Sequence, residues 1–363
     1  MAIETSLPET SKGWSEPTDA RTGPETRDVK PFSGFSSNVL TIDASRVAEE
    51  IEKAIREIVL HRLRRKGAVV ALSGGVDSSV TVALCARALG KDRVLGLLMP
   101  EDESSQDSLH LAQSLAKALG IPSVVENIGP ALAALGCYHR RDEAIRSVIP
   151  EYQEGWKSKI VLPNLLDNSY YALFSVVAQS PSGENRRARL TPEAYLGVVA
   201  ATNFKQRTRK MLEYYHADRL WYAVAGTPNR LEYAQGFFVK NGDGSADFKP
   251  IAHLYKTQVY QLGRYLGVPE EILRRPPTTD TYSLDQSQEE FYFALPLEKM
   301  DLCLYGKNHG TPAEDVAAAI GLSAEQVKRV YVMIDSKLKA SAYLHLPPQL
   351  VEPVAEVRYD GVH

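Results

Sequence analysis

The sequence has few cysteines, no long apolar run and almost no net charge, and each absence excludes a class of protein. Its three cysteines, Cys85, Cys137 and Cys303, form no CxxC pair, which excludes a disulfide framework and a zinc site of that spacing. No apolar stretch approaches the roughly 18 residues of a transmembrane helix. The formal net charge of −3 gives no general attraction to nucleic acid or to an anionic membrane. We therefore expect a cytoplasmic protein without nucleic-acid or membrane partners.

The N-terminal segment also lacks large apolar residues. Residues 1–36 are rich in proline, serine, threonine, glutamate and glycine, a composition typical of segments that cannot bury enough apolar surface to fold. We expect them to form a flexible leader, residues 37–350 to form the main domain, and residues 351–363 to form a C-terminal tail. A chain of 363 residues is long enough for one large domain.

Short β-branched runs alternate with helical patterns in the first half of the main domain. An amphipathic helix is predicted over residues 44–65. Strands are predicted at 67–72, 94–99 and 122–128, and helices ended by glycine at 80–89 and 108–119. This alternation predicts an α/β fold, in which a doubly wound parallel sheet is flanked by helices in a single main domain.

The second half is less regular. Residues 130–195 lose the alternation, and we interpret them as an irregular insertion or lid. Helices are predicted again at 194–215 and 256–266, with a core strand at 220–225. Residues 313–320 and 323–338 have the spacing of a closing pair of helices.

The sharpest functional pattern is the loop between the first predicted strand and the helix after it. It reads Ser73, Gly74, Gly75, Val76, Asp77, Ser78 and Ser79. A helix N-terminus offers unpaired N–H groups to a phosphate, and glycines let the backbone approach it closely. Asp77 has the wrong charge to bind phosphate directly, so it is useful there only with a bridging Mg²⁺. The alternative is a glycine-rich turn in which aspartate and serine are only helix caps.

The loop is neither a Walker A motif, since it lacks the Gly-Lys-Ser/Thr ending, nor a GxGxxG dinucleotide motif. It resembles the Ser-Gly-Gly-x-Asp-Ser loop of the N-type ATP pyrophosphatases, in the adenine nucleotide alpha hydrolase-like superfamily. The resemblance implies a Rossmann-like fold whose loop binds the pyrophosphate of ATP and leaves the α-phosphorus open to attack.

A series of shorter motifs in the second half narrows the family. They occupy residues 203–209, 226–232, 236–240, 242–247, 254–258 and 276–278. In this order they resemble NAD synthetase closely over residues 39–290, and more weakly to residue 350. Each motif alone is weak, and their combination is specific.

This resemblance implies a role for individual residues. Asp77 and Glu232 would hold Mg²⁺, and Asp77 and Lys256 would act in catalysis, since a lysine there can neutralise charge that develops at the α-phosphate. ATP would be bound by the loop from Ser73 to Ser79 together with Thr227, Lys256 and Thr278. Deamido-NAD would be bound by Arg207, Lys240 and Asp247, because its pyrophosphate and riboses need cations and an acceptor.

Several neighbouring charged residues receive a simpler interpretation. Arg209 and Lys210 are interpreted as part of a charged helical face, and Asp243 as the cap of a Gly-Asp-Gly turn. The basic cluster at 186–189 is interpreted as a solvated loop, with a phosphate-binding lid as the alternative.

The implied reaction has two steps. The substrate carboxylate attacks the α-phosphorus of ATP to give an acyl adenylate and pyrophosphate, and ammonia then displaces AMP to leave an amide. The leader is far too short for the nitrilase-like domain of glutamine-dependent NAD synthetases. We therefore expect free ammonia, or ammonia from a separate glutaminase, as the nitrogen donor. Family members are homodimers with the acceptor site at the subunit interface, so a homodimer is expected.

Two stretches depart from the family pattern, residues 279–293 and the segment 336–340, which lacks the usual His-Lys step. They leave two enzyme hypotheses open: amidation of deamido-NAD to NAD, or amidation of a different carboxylic acid in specialised metabolism. A third reading is a non-catalytic nucleotide-binding protein. The retained Asp77, Glu232 and Lys256 argue against it, since binding alone does not need both metal carboxylates.

Overall fold

The strands of the central sheet are short, and in three of the four nearly all apolar residues are buried. The computed structural model describes residues 34–161, 174–278, 282–284, 286–293 and 295–354. The strands are β1 (Ala68–Ala71), β2 (Val94–Leu98), β3 (Ser123–Val125), β4 (Lys157–Val161), β5 (Ser175–Gln179), β6 (Asn185–Arg189) and β7 (Ala223–Ala225). Four of them form a parallel sheet in the order β3–β2–β1–β7.

Helices connect these strands and continue beyond them. They are α1 (Ala44–Arg56), α2 (Val76–Leu89), α3 (Gln106–Leu119), α4 (Gly129–Ala134), α5 (Cys137–Arg146), α6 (Pro192–Leu220), α7 (Arg230–Gln235), α8 (Lys256–Tyr265), α9 (Glu270–Arg274), α10 (Leu297–Asn308), α11 (Ala313–Ile320) and α12 (Ala324–Ser341). A π-helical turn over Glu57–Arg62 extends α1, and another spans Glu289–Phe293. Short 3₁₀ turns lie at Ser37–Leu40, Lys91–Arg93 and Ala342–His345.

Adjacent residues of the central strands contact two different apolar clusters, because side chains alternate across a strand. Val70 of β1 packs in the cluster formed with α1, α2, α3 and α8, whereas Val69 packs with α4 and α6. Helices therefore cover both faces of the sheet. The predicted α/β fold, a doubly wound parallel sheet flanked by helices in one domain, is confirmed.

Residues 130–195 are predicted to be irregular, and the structure differs in the part of this segment that it describes. It contains most of α4, all of α5, and a three-stranded antiparallel sheet in the order β4–β5–β6. The strands are hard to recognise because β6 reads Asn-Arg-Arg-Ala-Arg, with mostly exposed side chains. Residues of β4 and β5 such as Ile160 and Val176 pack on Ile145 of α5 and Val198 of α6.

The C-terminal helices form a separate apolar cluster. Helices α10, α11 and α12 bury Met300, Val316 and Val327 in it, and Leu231 of α7 joins them. Helices α11 and α12 are the predicted closing pair. Phe35 already packs here against Tyr305, with ring centroids 6.3 Å apart. The predicted leader up to residue 33 and the predicted tail from residue 355 lie outside the described residues.

A helix that crosses a membrane must be both long and apolar. Within the described ranges, no helix meets both requirements.

Candidate active site

The predicted phosphate loop lies between β1 and α2. Gly75 is the N-cap of α2, which begins at Val76, so Asp77, Ser78 and Ser79 belong to its first turn instead of to the preceding loop. Within the described part of the chain, no side chain caps this N-terminus. Its N–H groups and its partial positive charge are therefore available to an anion.

Gly74 is required at this turn by its backbone. Its φ is +76°, in the left-handed region that favours glycine. A Cβ there would also come within 2.5 Å of the carbonyl oxygen of Ser108 in α3. The close packing of the loop on α3 thus explains one of the two glycines without invoking a ligand.

The loop residues divide between the cavity and the core. Among the described residues that line the cavity, Ser73, Asp77 and Ser78 come from this loop. Val76 instead packs in the core, and the hydroxyl of Ser79 donates to the carbonyl of Gly75 at 2.8 Å. The predicted role of Val76 in ATP binding would therefore rest on its backbone N–H. Ser79 also donates its backbone N–H to the carbonyl of Gly75, at 3.2 Å, so both of its donors are already used within α2.

A cavity of about 420 Å³ opens at the carboxyl ends of the central strands. It is bounded by the ends of β1, β2 and β7, which contribute Leu72, Leu98 and Ala225, and by Thr227 just beyond β7. Ligands of open α/β sheets bind at this edge, where the helix N-termini also lie. The predicted ATP-binding residue Thr278 lines the same cavity.

Asp77 is the centre of a buried polar network at the cavity. Its Oδ1 accepts a hydrogen bond of 3.0 Å from the side chain of Asn229, and its Oδ2 pairs with Nζ of Lys256. Asn229 is the N-cap of α7 and forms a capping box with Glu232, whose carboxylate accepts from the backbone N–H of Asn229 at 3.1 Å. Sequence positions 77, 232 and 256, which are far apart in the chain, are thus brought together.

Burial and the negative charge of Asp77 together raise the pKa of Glu232 to about 8. For Lys256, burial opposes the charged form, but the charges of Asp77 and Glu232 raise its pKa above the ordinary value. The site therefore contains two carboxylates that repel each other and one lysine that offsets part of the repulsion.

Asp77 and Glu232 form a site that fits a divalent cation. Two carboxylates compete for one positive charge, and a bound cation would relieve the repulsion that raises the pKa of Glu232. In the described ranges, no group of three or more His, Cys, Asp or Glu side chains could hold a metal. Mg²⁺ suits such a pair, since it is commonly bound by one or two carboxylates with substrate phosphates and water completing the shell.

Asp301 of α10 holds Lys256 in place and was not predicted from the sequence. Its carboxylate accepts from the backbone N–H groups of Lys256 and Thr257 at 3.2 and 2.7 Å, and from the hydroxyl of Thr257. It thereby caps the N-terminus of α8, where the α8 sequence itself supplies Tyr255 as N-cap. Burial raises the pKa of Asp301 to about 6. No local sequence pattern reveals a cap that comes from another helix.

The three residues predicted to bind deamido-NAD lie outside the described lining of this cavity. Nε of Arg207 donates to the carbonyl of Lys240, and Nζ of Lys240 donates to the carbonyl of Tyr343 at 2.8 Å. Asp247 accepts from the backbone N–H of Val224 at 2.7 Å. The described part of the chain therefore does not bring these three side chains into the cavity beside the phosphate loop.

Neighbours of Arg207 do line the cavity. Asn203, Gln206, Lys210 and Glu213 face it from α6, together with Arg209. Positions 203, 206, 210 and 213 share one helix face, and this spacing is the signal that could have identified them. Lys210, which was predicted to belong to a charged helical face, forms a buried pair with Glu213 at 2.6 Å.

Two other simple interpretations can be compared with the structure. Asp243 accepts from the backbone N–H of Val239 at 2.8 Å, so the predicted turn cap is confirmed, although the residue also lines the cavity. In the basic cluster, Arg186 pairs with Glu151 and Glu184 on the surface. These arginines belong to strand β6 and not to a loop, and they do not appear in the described lining of the cavity.

Much of the cavity lining is aromatic. Among the described residues, seven aromatic side chains line the cavity: Phe174, Tyr195, Phe237, Phe238, Tyr282, Phe291 and Tyr292. They come from the antiparallel sheet, α6, the segment after α7 and the segment after Thr278. Sequence reasoning did not single them out, since they converge only in the folded chain.

Comparison with known proteins identifies the family. The family model described as NAD synthase matches residues 47–150 and 181–341. The NH(3)-dependent NAD(+) synthetase of Rhizobium meliloti is 58% identical over 323 residues, which are 89% of this chain and 96% of that protein. The enzyme of the same name from Rhizobium rhizogenes is 58% identical over 322 residues, covering 89% of this chain and 97% of its own.

A solved structure shares the fold. The NMN synthetase of Francisella tularensis aligns with a TM-score of 0.58 and 22% identity, over 85% of this chain and 99% of its own. At that identity the likeness concerns the fold alone. The family model and the two rhizobial relatives go further, because they match most of the chain. This chain belongs to the NAD synthase family.

Proposed function

We propose that this protein converts deamido-NAD and ammonia to NAD, with cleavage of ATP to AMP and pyrophosphate. The observation that carries the proposal is the cluster of Asp77, Glu232 and Lys256 at the mouth of the phosphate loop. Two relatives that are 58% identical to this chain are named NH(3)-dependent NAD(+) synthetase, which supports deamido-NAD over a different carboxylic acid. The alternative of another carboxylic acid in specialised metabolism is not favoured.

ATP binding would begin at the N-terminus of α2. The free N–H groups of the helix and the hydroxyls of Ser73 and Ser78 would bind phosphate oxygens, and Thr227 and Thr278 would add contacts from the opposite wall. This arrangement leaves the α-phosphorus facing the rest of the cavity, where the acceptor carboxylate would enter. The protein would contribute mainly position and charge, because neither step needs a protein nucleophile.

Lys256 would neutralise charge on the α-phosphate and on the departing pyrophosphate. Its ammonium is buried against Asp77, and its backbone is held by Asp301, so little reorganisation is needed when the charge develops. Asp77 and Glu232 would hold Mg²⁺, which supplies charge neutralisation of the triphosphate when bound. The second step breaks the bond between the acyl carbon and the AMP oxygen as ammonia adds to the carbonyl.

The acceptor would also contact residues outside the cavity of one protomer. Arg207, Lys240 and Asp247 would bind deamido-NAD in a homodimer, where a second subunit brings them to the site. This accounts for their distance from the cavity lining in a single chain. We propose a cytoplasmic enzyme that takes free ammonia or receives it from a separate glutaminase.

A direct assay tests the proposal. The purified protein is given Mg-ATP, ammonium and deamido-NAD, and NAD and pyrophosphate are both quantified. We expect equal amounts of the two products. A parallel reaction with nicotinic acid mononucleotide in place of deamido-NAD tests which carboxylic acid the enzyme accepts. Pyrophosphate release with the mononucleotide and none with deamido-NAD would refute the assignment.

A further inference from the structure

The family model matches this chain on both sides of residues 151–180 and leaves them unmatched. This segment, here called the insertion, contains β4 and β5. Its strands pair with β6 and pack on α5 and α6, so they form part of the domain and not a separate appendage.

The insertion is bonded to the segment that follows Thr278. The backbone N–H of Ser158 donates to Oγ of Ser283 at 2.8 Å, and Leu284 donates its N–H back to the carbonyl of Ser158 at 3.2 Å. The side chain of Gln286 donates to the carbonyl of Ile160. Two stretches that differ from the family pattern, the insertion and the residues after Thr278, thus contact each other directly.

The same segment reaches the catalytic centre. Nε2 of Gln288 donates to Glu232 at 3.0 Å, and Gln288 is itself buried and lines the cavity. The N–H of Gln288 donates to the carbonyl of Pro277, beside Thr278. Only a few residues therefore separate the insertion from a predicted metal carboxylate.

The insertion contributes a ring to the cavity. Phe174 stacks on Tyr195 of α6 with centroids 4.2 Å apart and an angle of 19° between the planes. Both rings line the cavity and pack in the same apolar cluster as Tyr282 and Phe291, whose centroids are 5.4 Å apart in an edge-to-face arrangement. Phe237 lies 5.9 Å from Phe291, so the rings form one continuous aromatic wall.

The chemistry of the two substrates decides which ring this wall fits. The proposed reaction brings a neutral adenine with each of ATP and deamido-NAD. Deamido-NAD also brings an N-substituted pyridinium, whose positively charged ring carries the reacting carboxylate. Aromatic faces attract cations through the quadrupole of the ring, and several rings together form cages for quaternary nitrogen. The described lining also includes the aliphatic side chains of Leu97, Leu98 and Leu109, which suit a neutral base.

We propose that Phe174 of the insertion and Tyr195 form a binding wall for the pyridinium ring of the acceptor. The insertion, which the family model lacks, would then complete the acceptor end of the site and help to exclude water from the acyl adenylate. This inference rests on the proposed function, because it takes deamido-NAD as the acceptor.

Steady-state kinetics of Phe174→Leu and Tyr195→Leu test the proposal. Each change removes a ring and keeps an apolar side chain. We expect the KM for deamido-NAD to rise about tenfold in each variant. A tenfold change corresponds to a loss of binding free energy within the range of cation–π contacts. The KM for ATP should change less than twofold. Phe174→Tyr, which keeps the ring, should retain the wild-type KM.

Trp156→Leu provides the matched control. Trp156 belongs to the same insertion and packs edge-to-face on Tyr152 at 5.9 Å, but it is absent from the described lining of the cavity. This variant tests whether loosening of the antiparallel sheet alone raises the KM for deamido-NAD. Thermal unfolding of all variants shows whether each remains folded at the assay temperature.

A binding experiment tests the role of the ring charge. Deamido-NADH carries an uncharged dihydropyridine ring of nearly the same size. The wild type should bind deamido-NAD more tightly than deamido-NADH, and Phe174→Leu should lose most of that preference. Equal affinities in the wild type, or an equal rise in KM for Trp156→Leu and Phe174→Leu, would overturn the proposal. A wild-type protein that does not turn over deamido-NAD at all would instead refute the proposed function.

Discussion

At the scale of residues, the site depends on three charges that burial makes costly. Asp77, Glu232 and Lys256 share one network, and Glu232 has a raised pKa because its charge is buried next to that of Asp77. Groups of this kind are rarely kept for stability alone, since removing the charge relieves repulsion. Function and stability should therefore respond in opposite directions when Glu232 is neutralised.

We predict that Glu232→Gln and Asp77→Ala each reduce pyrophosphate release at least 100-fold, because each removes a proposed metal ligand and part of the triphosphate site. Glu232→Gln should unfold at the same temperature as the wild type or higher, since the amide still caps α7 without a buried charge. The measurements are a pyrophosphate assay and thermal unfolding. Glu270→Gln, on an exposed pair with Arg274, is the control. Near-normal turnover by either variant would refute the metal assignment.

Lys337 is a partly buried charge with a different consequence. Its Nζ donates to the carbonyl of Tyr292 and lies 3.9 Å above the ring of that residue. Burial lowers its pKa to about 7, so between that pH and its usual pKa the unfolded chain binds more protons than the folded one. This group therefore adds stability as the pH rises from 7 towards 10.

The corresponding prediction concerns Lys337→Met. The variant should gain in free energy of unfolding relative to the wild type at pH 7, and this gain should shrink as the pH approaches 10. Urea unfolding at several pH values measures it. Lys339→Met, an exposed neighbour on the same helix, should show no such trend. A gain that is independent of pH would contradict the titration of Lys337.

At the scale of elements, the local sequence predicted the first βαβ units because each signal there is local. β1 is a run of apolar residues, α2 ends at a glycine, and the loop between them carries its own motif. The antiparallel sheet escaped prediction because two of its three strands are mostly polar: β4 begins Lys-Ser-Lys, and β6 reads Asn-Arg-Arg-Ala-Arg. Its buried face becomes evident only once α5 and α6 supply a surface to pack on.

The cap of α8 illustrates an interaction between elements that no local pattern encodes. Asp301→Ala should lower the free energy of unfolding by about 2 kcal/mol, because it leaves two backbone N–H groups and a hydroxyl without their acceptor. The kcat should fall as well, since α8 begins at Lys256. Asp301→Asn should recover part of both losses.

Urea unfolding and steady-state kinetics measure these two effects. Asp335→Ala, which removes a half-exposed pair with Lys307, is the control and should cost less than about 0.5 kcal/mol. A loss of stability in Asp301→Ala with unchanged kcat would show that the cap supports the fold but does not position Lys256.

At the scale of the whole molecule, the predicted site residues fall into two groups. The phosphate loop and the motif series together proposed Asp77, Glu232 and Lys256, which converge. The motif series also proposed Arg207, Lys240 and Asp247, which lie outside the described lining of the cavity, because a motif implies a role without showing where the side chain lies in the fold. The aromatic wall was missed because its rings come from four separate segments.

Subunit mixing tests whether the acceptor residues act across a dimer interface. Asp77→Ala and Lys240→Ala proteins should each be nearly inactive alone. If Lys240 serves the site of the other subunit, each mixed dimer has one intact site, and an equal mixture after subunit exchange should recover about a quarter of wild-type activity. No recovery in mixed dimers confirmed by mass spectrometry would contradict the shared site.

The central claim is that the substrate carboxylate is adenylated before ammonia attacks it. Deamido-NAD labelled with ¹⁸O at both oxygens of its carboxylate gives the most direct measurement. One oxygen of that carboxylate becomes bonded to the α-phosphorus and leaves with AMP, so mass spectrometry of the products should find one ¹⁸O in AMP, one in NAD and none in pyrophosphate. Unlabelled AMP, or cleavage of ATP to ADP and phosphate, would contradict the account.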